Sequence, residues 1–347
     1  MIESFVHEQT ATRVVFGSGK VAGLADEVDR LDAKRALVIA SRSGRDAAGS
    51  ALEGLGERLA HLVVGVREHV PTDDVVSTRE IADRADADCL IAIGGGSSIG
   101  LAKAVALDRP APVVAVPTTY SGSEMTPIYG VTSQGRKRTG RAAEVQPRVV
   151  IYDPALTTTL PQSATAATGM NAVAHCVEAL YAHDATPISS LIAEEGLRCL
   201  GEGLPAATGD PSDIGTRSTA LYGAFLAGSA LAATTMGLHH RICHVLGGTF
   251  GLPHGDANAV MLPHVARFNA TAAPRALERV ASALSRVDGP TAIEELRGRL
   301  GAPSSLTQLG MDEGDLEGAA RLIVDPPPAN PRPVGRDDVL RILRAAM

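Results

Sequence analysis

Short β-branched runs alternate with amphipathic stretches over the first half of the chain. The apolar runs are RVVF at 13–16, ALVIA at 36–40, CLIAIGGG at 89–96, PVVAVPTT at 112–119 and RVVIYD at 148–153. Between them, apolar residues recur with helical spacing at 20–31, 45–59, 72–87 and 98–107. Strands that alternate with helices predict βαβ units and a parallel sheet. We therefore expect a Rossmann-like α/β domain.

The strand pattern ends with DPALTTTLP at 153–161, and Ala- and Leu-rich segments of helical period follow to the end of the chain. This change predicts a second domain that is all-helical. We place a dinucleotide-binding α/β domain at residues 1–157 and a helical substrate and catalytic domain at 158–347.

The composition agrees with an enzyme of two domains. The chain has 347 residues, of which 45% are apolar and only 3% aromatic, with no tryptophan. Ala, Val, Leu and Ile must therefore fill the core, and a tryptophan platform for stacking sugars or bases is excluded. A formal net charge of -7 argues against a nucleic-acid partner.

The N-terminus and the cysteines indicate a cytoplasmic location. MIESFVHEQTATRVVFG lacks the pattern of a signal peptide, and the chain has no apolar run of the roughly 18 residues that a membrane span needs. The cysteines Cys89, Cys176, Cys199 and Cys243 stand singly, without a CxxC pair, so we expect core residues in a reducing compartment.

Two glycine- and hydroxyl-rich turns at strand ends predict a dinucleotide site. GGGSS at 94–98 follows a strand and opens a helix, where backbone N–H groups can approach a pyrophosphate. A glycine-rich turn by itself also fits an ordinary connection, but PTTYSGSE at 117–124 follows the next strand at the edge where such sheets bind ligands. The predicted cofactor residues in the two turns are Gly94, Gly95, Gly96, Ser97, Thr118, Thr119 and Ser123.

The end of the second strand leaves the choice of cofactor open. Ser41 and Arg42 stand where NAD-specific enzymes usually have an acid for the ribose hydroxyls. We count Ser41 as a cofactor residue and expect NADH or NADPH, while Arg42 fits a solvated surface position equally well.

The stretch LHHRICHVLGGTFGLPHG at 238–255 contains four of the ten histidines of the chain. His240 and His244 are four apart and share one face of a helix, which is typical of a metal site. His239 points off that face, and His264 lies away from the motif, so we expect both to be structural.

The order of these motifs resembles the iron-containing (group III) alcohol dehydrogenase superfamily, which shares its fold with dehydroquinate synthase. GGGS, PTT..GSE, GxxAxxHxxE and HxxxH followed by PHG occur in sequence. Within the superfamily, GMNAVAHCVEALYA, GLHHRICHVLGGTFGLPH and NPRPV resemble the maleylacetate reductase family. The resemblance implies a homodimer whose active site lies in a cleft between the domains. It carries the metal-ligand positions onto Asn171, His175, His240 and His254, and an additional active-site histidine onto His244.

Asn171 stands where the metal-dependent relatives have aspartate. A neutral amide binds a divalent ion more weakly than a carboxylate, although a zinc site of three histidines remains open. A second aspartate of those relatives is Gly100 here. Both substitutions remove negative charge, which suits a dicarboxylate substrate. We therefore expect no metal.

The resemblance implies reduction of the C=C bond of maleylacetate to 3-oxoadipate by NAD(P)H. Hydride addition β to a ketone produces an enolate, which hydrogen-bond donors can stabilise without a metal. We assign His244 as general acid and His175, His240 and His254, with Asn171, as substrate-orienting residues. Tyr120 is a further candidate for contact with substrate. Arg241, Lys137 and Arg138 are candidate partners of the substrate carboxylates, but a charge run such as RKRTGR also fits a solvated hairpin.

Three other readings remain open at this stage. The first is a metal-dependent alcohol or hydroxyacid dehydrogenase that tolerates Asn171. The second is a lyase of the dehydroquinate synthase kind, which uses NAD only transiently and needs zinc. The third is a nucleotide-binding module without catalysis.

Overall fold

The computed structural model describes residues 5–8, 11–133 and 136–347, and the chain divides into two compact units. The N-terminal unit contains residues 11–160 and Ser212–Leu221, and the helical unit contains residues 5–8, Pro161–Pro211 and Tyr222–Met347. The division falls three residues after the expected one at 157/158. Residues 5–8 belong to the helical unit, and residues 212–221 belong to the N-terminal unit. The prediction of two contiguous domains does not include these two assignments.

Parallel strands form the centre of the N-terminal unit. Within the described residues the sheet has six strands in the order β1-β8-β5-β4-β2-β3. Their bounds are β1 Arg13–Phe16, β2 Ala36–Ala40, β3 Leu59–Val64, β4 Cys89–Gly94, β5 Val113–Pro117 and β8 Val149–Tyr152. Strands β2, β4, β5 and β8 are buried along their whole length because helices cover both faces, as parallel sheets require. The predicted fold class is confirmed.

Helices and one hairpin complete this unit. The hairpin of β6 (Ile128–Ser133) and β7 (Arg136–Arg141) lies outside the parallel sheet. The helices are α1 Leu24–Arg30, α2 Arg42–Ala47, α3 Gly49–Gly54, α4 Thr72–Arg84 and α5 Gly96–Ala106.

The prediction of one helix over 45–59 is wrong. The chain there forms the short helices α2 and α3, a 3₁₀ turn at Gly56–Arg58 and the start of β3. Glycines at 49, 54 and 56 interrupt the helix, and Gly56 adopts the left-handed conformation with φ 53°, which ends a regular helix at little steric cost.

From residue 161 onward, the described chain contains helices and no strand, as predicted. The bounds are α6 Gln162–Tyr181, α7 Pro187–Gly209, α8 Ile214–Ala233, α9 Leu238–Phe250, α10 His254–Asn269, α11 Pro274–Ala283, α12 Gly289–Arg299, α13 Leu316–Val324 and α14 Arg336–Ala345. One apolar core of this unit joins α9, α10, α13 and α14 through residues such as Ile242, Val260, Ile323 and Leu343. This packing fixes α9 and α10, which carry His240, His244 and His254.

All four cysteines are buried and free, which confirms that they are core residues. Over the described residues, no single helix has the length and apolar character needed to cross a membrane. The pair α8 and α9 passes that test only when taken together, and it is bent by 100° at the break between the helices.

Candidate active site

The turn between β4 and α5 brings three glycines together, each with a different constraint. Gly94 has φ 148°, and a Cβ there would lie 2.5 Å from Ser98 Oγ. Gly95 adopts extended backbone, but a Cβ would lie 3.1 Å from the side chain of Thr119. Gly96 begins α5, which has no side-chain cap. The N–H groups of the first turn are therefore left for a ligand, and the helix dipole favours an anion there.

The second predicted loop lies beside the first because their strands are neighbours. Gly94 pairs in register with Pro117, and the backbone N–H of Thr118 donates to the carbonyl of Gly94 at 3.0 Å. The Oγ1 atom of Thr119 is buried next to Gly95 and has no hydrogen-bond partner. An orphaned hydroxyl of this kind costs free energy unless a ligand supplies the partner. The glycine turn and Thr119 Oγ1 together fit a phosphate group.

Ser41 and Ser123 also lie at this edge. The N–H of Ser41 donates to Ile93 O at 3.0 Å, and a Cβ on Gly94 would lie 3.0 Å from Ser41 Oγ. Ser41 Oγ caps α2 by accepting the N–H of Gly44. Ser123 has its carbonyl turned to the ammonium of Lys103 and its Oγ 3.5 Å from the same Nζ. Arg42 is exposed.

Three helices of the other unit bring the predicted imidazoles together. Helix α6 carries Asn171 and His175 four residues apart, α9 carries His240 and His244, and His254 is the first residue of α10. The rings of His175 and His240 stack with centroids 4.8 Å apart, and those of His244 and His254 stack at 5.8 Å. His240 and His244 connect the two pairs at 6.3 Å.

The side chains of the cluster differ in their exposure to solvent. Asn171, His175 and His240 are buried, His254 is half-buried and His244 is exposed. Burial and the neighbouring imidazoles hold the pKa of His175 well below its ordinary value. His175 is therefore neutral near pH 7, and the solvent-facing end of the cluster at His244 is better placed to exchange protons.

Glu178 is a site residue that the sequence analysis did not single out. Its buried carboxylate accepts hydrogen bonds from the backbone N–H groups of Gly237, His239 and His240, at 3.0–3.3 Å. It also contacts His240 Nδ1 at 2.7 Å. The carboxylate therefore holds the N-terminus of α9 and accepts the N–H of His240 Nδ1, which orients the ring. The available signal was the spacing His175-x-x-Glu178, which places both side chains on one face of α6.

Electrostatics keep Glu178 ionised. Burial alone would raise its pKa, but the hydrogen bond and charge of His240, with His239 and the Gly237 N–H, lower the pKa to about 2. The Nε2 atom of His240 is buried without a hydrogen-bond partner. The ring therefore has a fixed orientation and one nitrogen, Nε2, that a ligand can use.

The remaining candidates for contact with substrate bond to other parts of the protein or are exposed on the hairpin. Arg241 donates to the carbonyls of Leu322, Ile323 and Asp325 at the end of α13. Tyr120 is fully buried in the N-terminal unit, where its hydroxyl accepts a hydrogen bond from the buried Arg217. Arg138 is exposed on β7, and the side chain of Lys137 lies outside the described residues. His239 is fully buried, with Nε2 bonded to Asn258, which confirms its structural role.

The four predicted metal-ligand positions, Asn171, His175, His240 and His254, contain no carboxylate. Over the part of the chain that the structure describes, no three His, Cys, Asp or Glu side chains are arranged to hold a metal ion. The position four residues before His175 is a neutral amide, and the carboxylate of Glu178 is occupied by the N-terminus of α9. A carboxylate ligand offsets part of the charge of a hard or borderline cation, which a neutral amide does not.

Comparisons with known proteins cover nearly the whole chain. Residues 11–154 match the model described as iron-containing alcohol dehydrogenase, and residues 165–347 match the C-terminal part of the Fe-containing alcohol dehydrogenase family. Maleylacetate reductase of Burkholderia cepacia is 46% identical over 345 residues, which cover 99% of this chain and 98% of that protein.

Solved structures also match the chain over nearly its whole length. The crystal structure of maleylacetate reductase from Agrobacterium tumefaciens is 41% identical, with a TM-score of 0.95 and coverage of 100% of this chain and 99% of that one. Sulfoacetaldehyde reductase from Bifidobacterium kashiwanohense, solved in complex with NAD+, is 22% identical and shares the fold at a TM-score of 0.91, with 99% of each chain covered.

Proposed function

The chain belongs to the iron-containing alcohol dehydrogenase family, and we propose that it reduces the C=C bond of maleylacetate to 3-oxoadipate with NAD(P)H and without a metal. The identity of 46% to a maleylacetate reductase over almost all of both chains supports the substrate. One observation supports catalysis without a metal: the imidazole cluster includes the amide of Asn171 where the metal-dependent relatives have a carboxylate.

NAD(P)H fits the N-terminal unit. Its pyrophosphate would be held by the Gly94–Gly96 turn, the first N–H groups of α5 and the orphaned hydroxyl of Thr119. Ser41, Ser97, Thr118 and Ser123 are further cofactor residues in this proposal. When bound, the cofactor supplies a hydride to the carbon β to the ketone of the substrate.

The side chains of the helical unit complete the reaction. After the hydride is added, negative charge lies on the enolate oxygen, where imidazole N–H groups stabilise it. His244, at the exposed end of the cluster, donates one proton to the α-carbon. One hydride and one proton thus convert the C=C bond to CH–CH. His175, His240, His254 and Asn171 bind and orient the dicarboxylate, with His240 held in place by Glu178.

No step of this mechanism needs a Lewis acid. Alcohol oxidation develops an alkoxide, which a metal stabilises well, whereas an enolate spreads its charge and needs only well-placed donors. In this proposal the imidazole N–H groups of the cluster act as these donors.

The experiment measures activity and metal content on the same sample. Protein treated with a chelator is assayed with maleylacetate and with NADH or NADPH, and its metals are determined by elemental analysis. We expect full turnover at far less than one ion per chain. Activity that is lost with the metal and restored by iron, zinc or manganese would instead establish a metal-dependent dehydrogenase.

The role of His244 is tested separately. His244→Ala should lower kcat at least about 100-fold, the usual contribution of a general acid, with the KM for NADH nearly unchanged. His61→Ala serves as control, because His61 is exposed on β3 of the other unit. An unaltered kcat in His244→Ala would remove this histidine from the mechanism.

A further inference from the structure

Helix α5 carries a fully buried lysine in a run of apolar residues. Lys103 is 0% exposed, like its neighbours Ala102 and Ala104. Its ammonium donates to the carbonyls of Ser123 at 2.8 Å and Thr126 at 2.7 Å, and Thr126 Oγ1 lies at 3.2 Å. The donors of the lysine are therefore used on one turn of the loop that follows β5.

A buried carboxylate lies within the same turn. Glu124 is 0% exposed and accepts hydrogen bonds from Tyr152 Oη at 2.9 Å and from Ser121 Oγ at 3.2 Å. Burial lowers the pKa of Lys103 to about 7. The charge of Glu124 acts against this lowering, and the charge of Arg141 adds to it. Burial raises the pKa of Glu124, against the hydrogen bonds from its own backbone N–H, Tyr152 and Ser121.

Stability alone is a weak reason for two buried charged groups here. Taking an ammonium and a carboxylate out of water is costly, and hydrocarbon side chains of similar volume often serve a core equally well. Lysine differs from methionine in having three directed donors. Here they hold the Ser123–Met125 turn, a single 3₁₀ turn without a side-chain cap of its own.

The turn leads directly to the phosphate-binding edge. Ser121, which donates to Glu124, lies beside Gly96, because a Cβ on that glycine would be 3.5 Å from Ser121 Cβ. The hydroxyl of Ser121 is held by Glu124 and lies beside the first residue of α5, and Lys103 ties the same loop to α5 about two turns further on.

We propose that Lys103 and Glu124 are positioning residues for the dinucleotide, which together fix the 118–126 loop against the glycine turn of α5. This inference rests on the proposed function in that NAD(P)H is the ligand. Neither side chain touches the cofactor, and both act through Ser121, Ser123 and the backbone of the loop.

The first test is Lys103→Met, which keeps the length of the side chain and removes its donors. The dissociation constant of NADH, measured by fluorescence without substrate, should rise at least about 10-fold, and the KM for maleylacetate should change less than about 2-fold. Asp153→Asn is the matched control. Asp153 is also fully buried in this unit, but it holds Gly19 and Val21 rather than the loop, so its loss should lower stability and leave NADH affinity unchanged.

Tyr152→Phe provides a second variant should Lys103→Met fail to fold. It deletes the hydrogen bond to Glu124 and keeps the ring, so NADH affinity should fall by a smaller factor in a folded protein.

Wild-type NADH affinity should also decline as the pH rises above about 7, where Lys103 loses its charge, and this decline should be absent in Lys103→Met. The charged and titratable groups near Lys103 in this test are Glu124, Tyr152 and Arg141.

The outcomes separate the two proposals. The positioning role would be overturned if folded Lys103→Met or Tyr152→Phe bound NADH as tightly as the wild type. It would also be overturned if their loss of NADH affinity were no larger than that of Asp153→Asn. Tight NADH binding by the wild type without turnover of maleylacetate would overturn the proposed function and leave the positioning role standing.

Discussion

At the scale of single residues, Glu178 links the stability of the helical unit to the orientation of His240. Its pKa is depressed in the folded chain to about 2, below the ordinary value near 4.3 of an unfolded chain. The stabilisation is therefore complete above about pH 4.5 and is lost as the pH falls towards 2. Glu178→Gln should lose about 2 kcal/mol at pH 7, typical of hydrogen bonds to a buried charge, and the difference should shrink below pH 4.5. Denaturant unfolding of both proteins at several pH values measures this.

The same variant should lower kcat about 10-fold, because a mispositioned imidazole partner usually costs 10- to 100-fold. Glu27→Gln is a suitable control, since Glu27 is a buried carboxylate of the other unit that binds Arg13. A Glu178→Gln protein with wild-type kcat and an unchanged acid dependence of stability would contradict this account of His240.

In the proposed function, the neutral amide of Asn171 favours a dicarboxylate over a metal ion in the cluster. Asn171→Asp restores an anionic oxygen on the face of α6 that carries His175, so we expect the metal content of purified protein to increase several-fold. Metal-free reduction of maleylacetate should not increase, because the new charge repels a dianion. Asn269→Asp, at a buried asparagine bonded to Asn330, controls for added charge alone. Faster metal-free turnover in Asn171→Asp would refute the electrostatic argument.

The residues that sequence could identify are those whose spacing or type is unusual. His240 and His244 stand four apart in a chain with few histidines, so their common face was predictable. Lys103 and Arg217 were not, because a lysine or arginine within a helix is exposed in most proteins, and only the folded chain shows these two to be fully buried. Arg241 was misleading for the opposite reason: it adjoins the cluster in sequence, yet its guanidinium turns to the carbonyls that end α13.

At the scale of elements, the strand–turn–helix unit of β4 and α5 should lose its ligand when the turn is widened. In Gly95→Val, the Cβ would already lie 3.1 Å from Thr119, and the two methyl groups enter the space assigned to phosphate. NADH affinity should fall at least about 10-fold while the far-UV circular dichroism stays unchanged. Gly54→Val is the control, since a Cβ at Gly54 meets nothing within 4 Å. Full NADH affinity in Gly95→Val would show that the phosphate binds elsewhere.

The junction of β2 and α2 offers a test of cofactor choice. Ser41 caps α2, and aspartate is an equally good cap, so Ser41→Asp should fold normally. A carboxylate at this strand end binds ribose hydroxyls and repels a 2′-phosphate. The ratio of kcat/KM for NADH to that for NADPH should rise at least about 10-fold, a change of about 1.4 kcal/mol. Ser50→Asp, at an exposed position of α3, should alter the ratio little, and an unaltered ratio in Ser41→Asp would place the ribose elsewhere.

Elements that are buried throughout were predictable, and of the two edge strands only β1 was predicted. The continuous apolar runs of β2, β4 and β5 identified them as central strands. The strand β3 lies at the edge of the sheet and is only half-buried, with His61 exposed, so its sequence LAHLVV does not alternate clearly. The hairpin of β6 and β7 carries the charge run RKRTGR, which fitted a solvated hairpin as well as a substrate-binding loop.

At the scale of the whole molecule, a prediction of contiguous domains fails at α8. Ser212–Leu221 belongs to the N-terminal unit although it follows 51 residues of the helical one, Pro161–Pro211. Arg217 explains the association, because its guanidinium, fully buried, donates to Tyr120 Oη and to the carbonyl of Leu160. A buried arginine must keep its hydrogen-bond partners, so this segment stays with the residues that supply them. Sequence periodicity contains no information on such long-range bonds.

The two units should respond separately to the two ligands. NADH at about 100 times its dissociation constant stabilises its binding state by about 2.7 kcal/mol, and the protection from amide hydrogen exchange should be strongest in β4, α5 and residues 117–126. The product 3-oxoadipate, given alone, should instead protect α9 and the first turn of α10, where His240, His244 and His254 lie. Exchange followed by mass spectrometry on peptides of both units measures this, with Gly95→Val as the control that should lose only the NADH effect. Protection of α9 by 3-oxoadipate that disappears in His240→Ala but persists in Arg241→Ala would place the dicarboxylate on the imidazoles, because Arg241 is bonded to α13. Absence of any protection of α9 by 3-oxoadipate at saturation would mean that the histidine cluster does not bind this dicarboxylate.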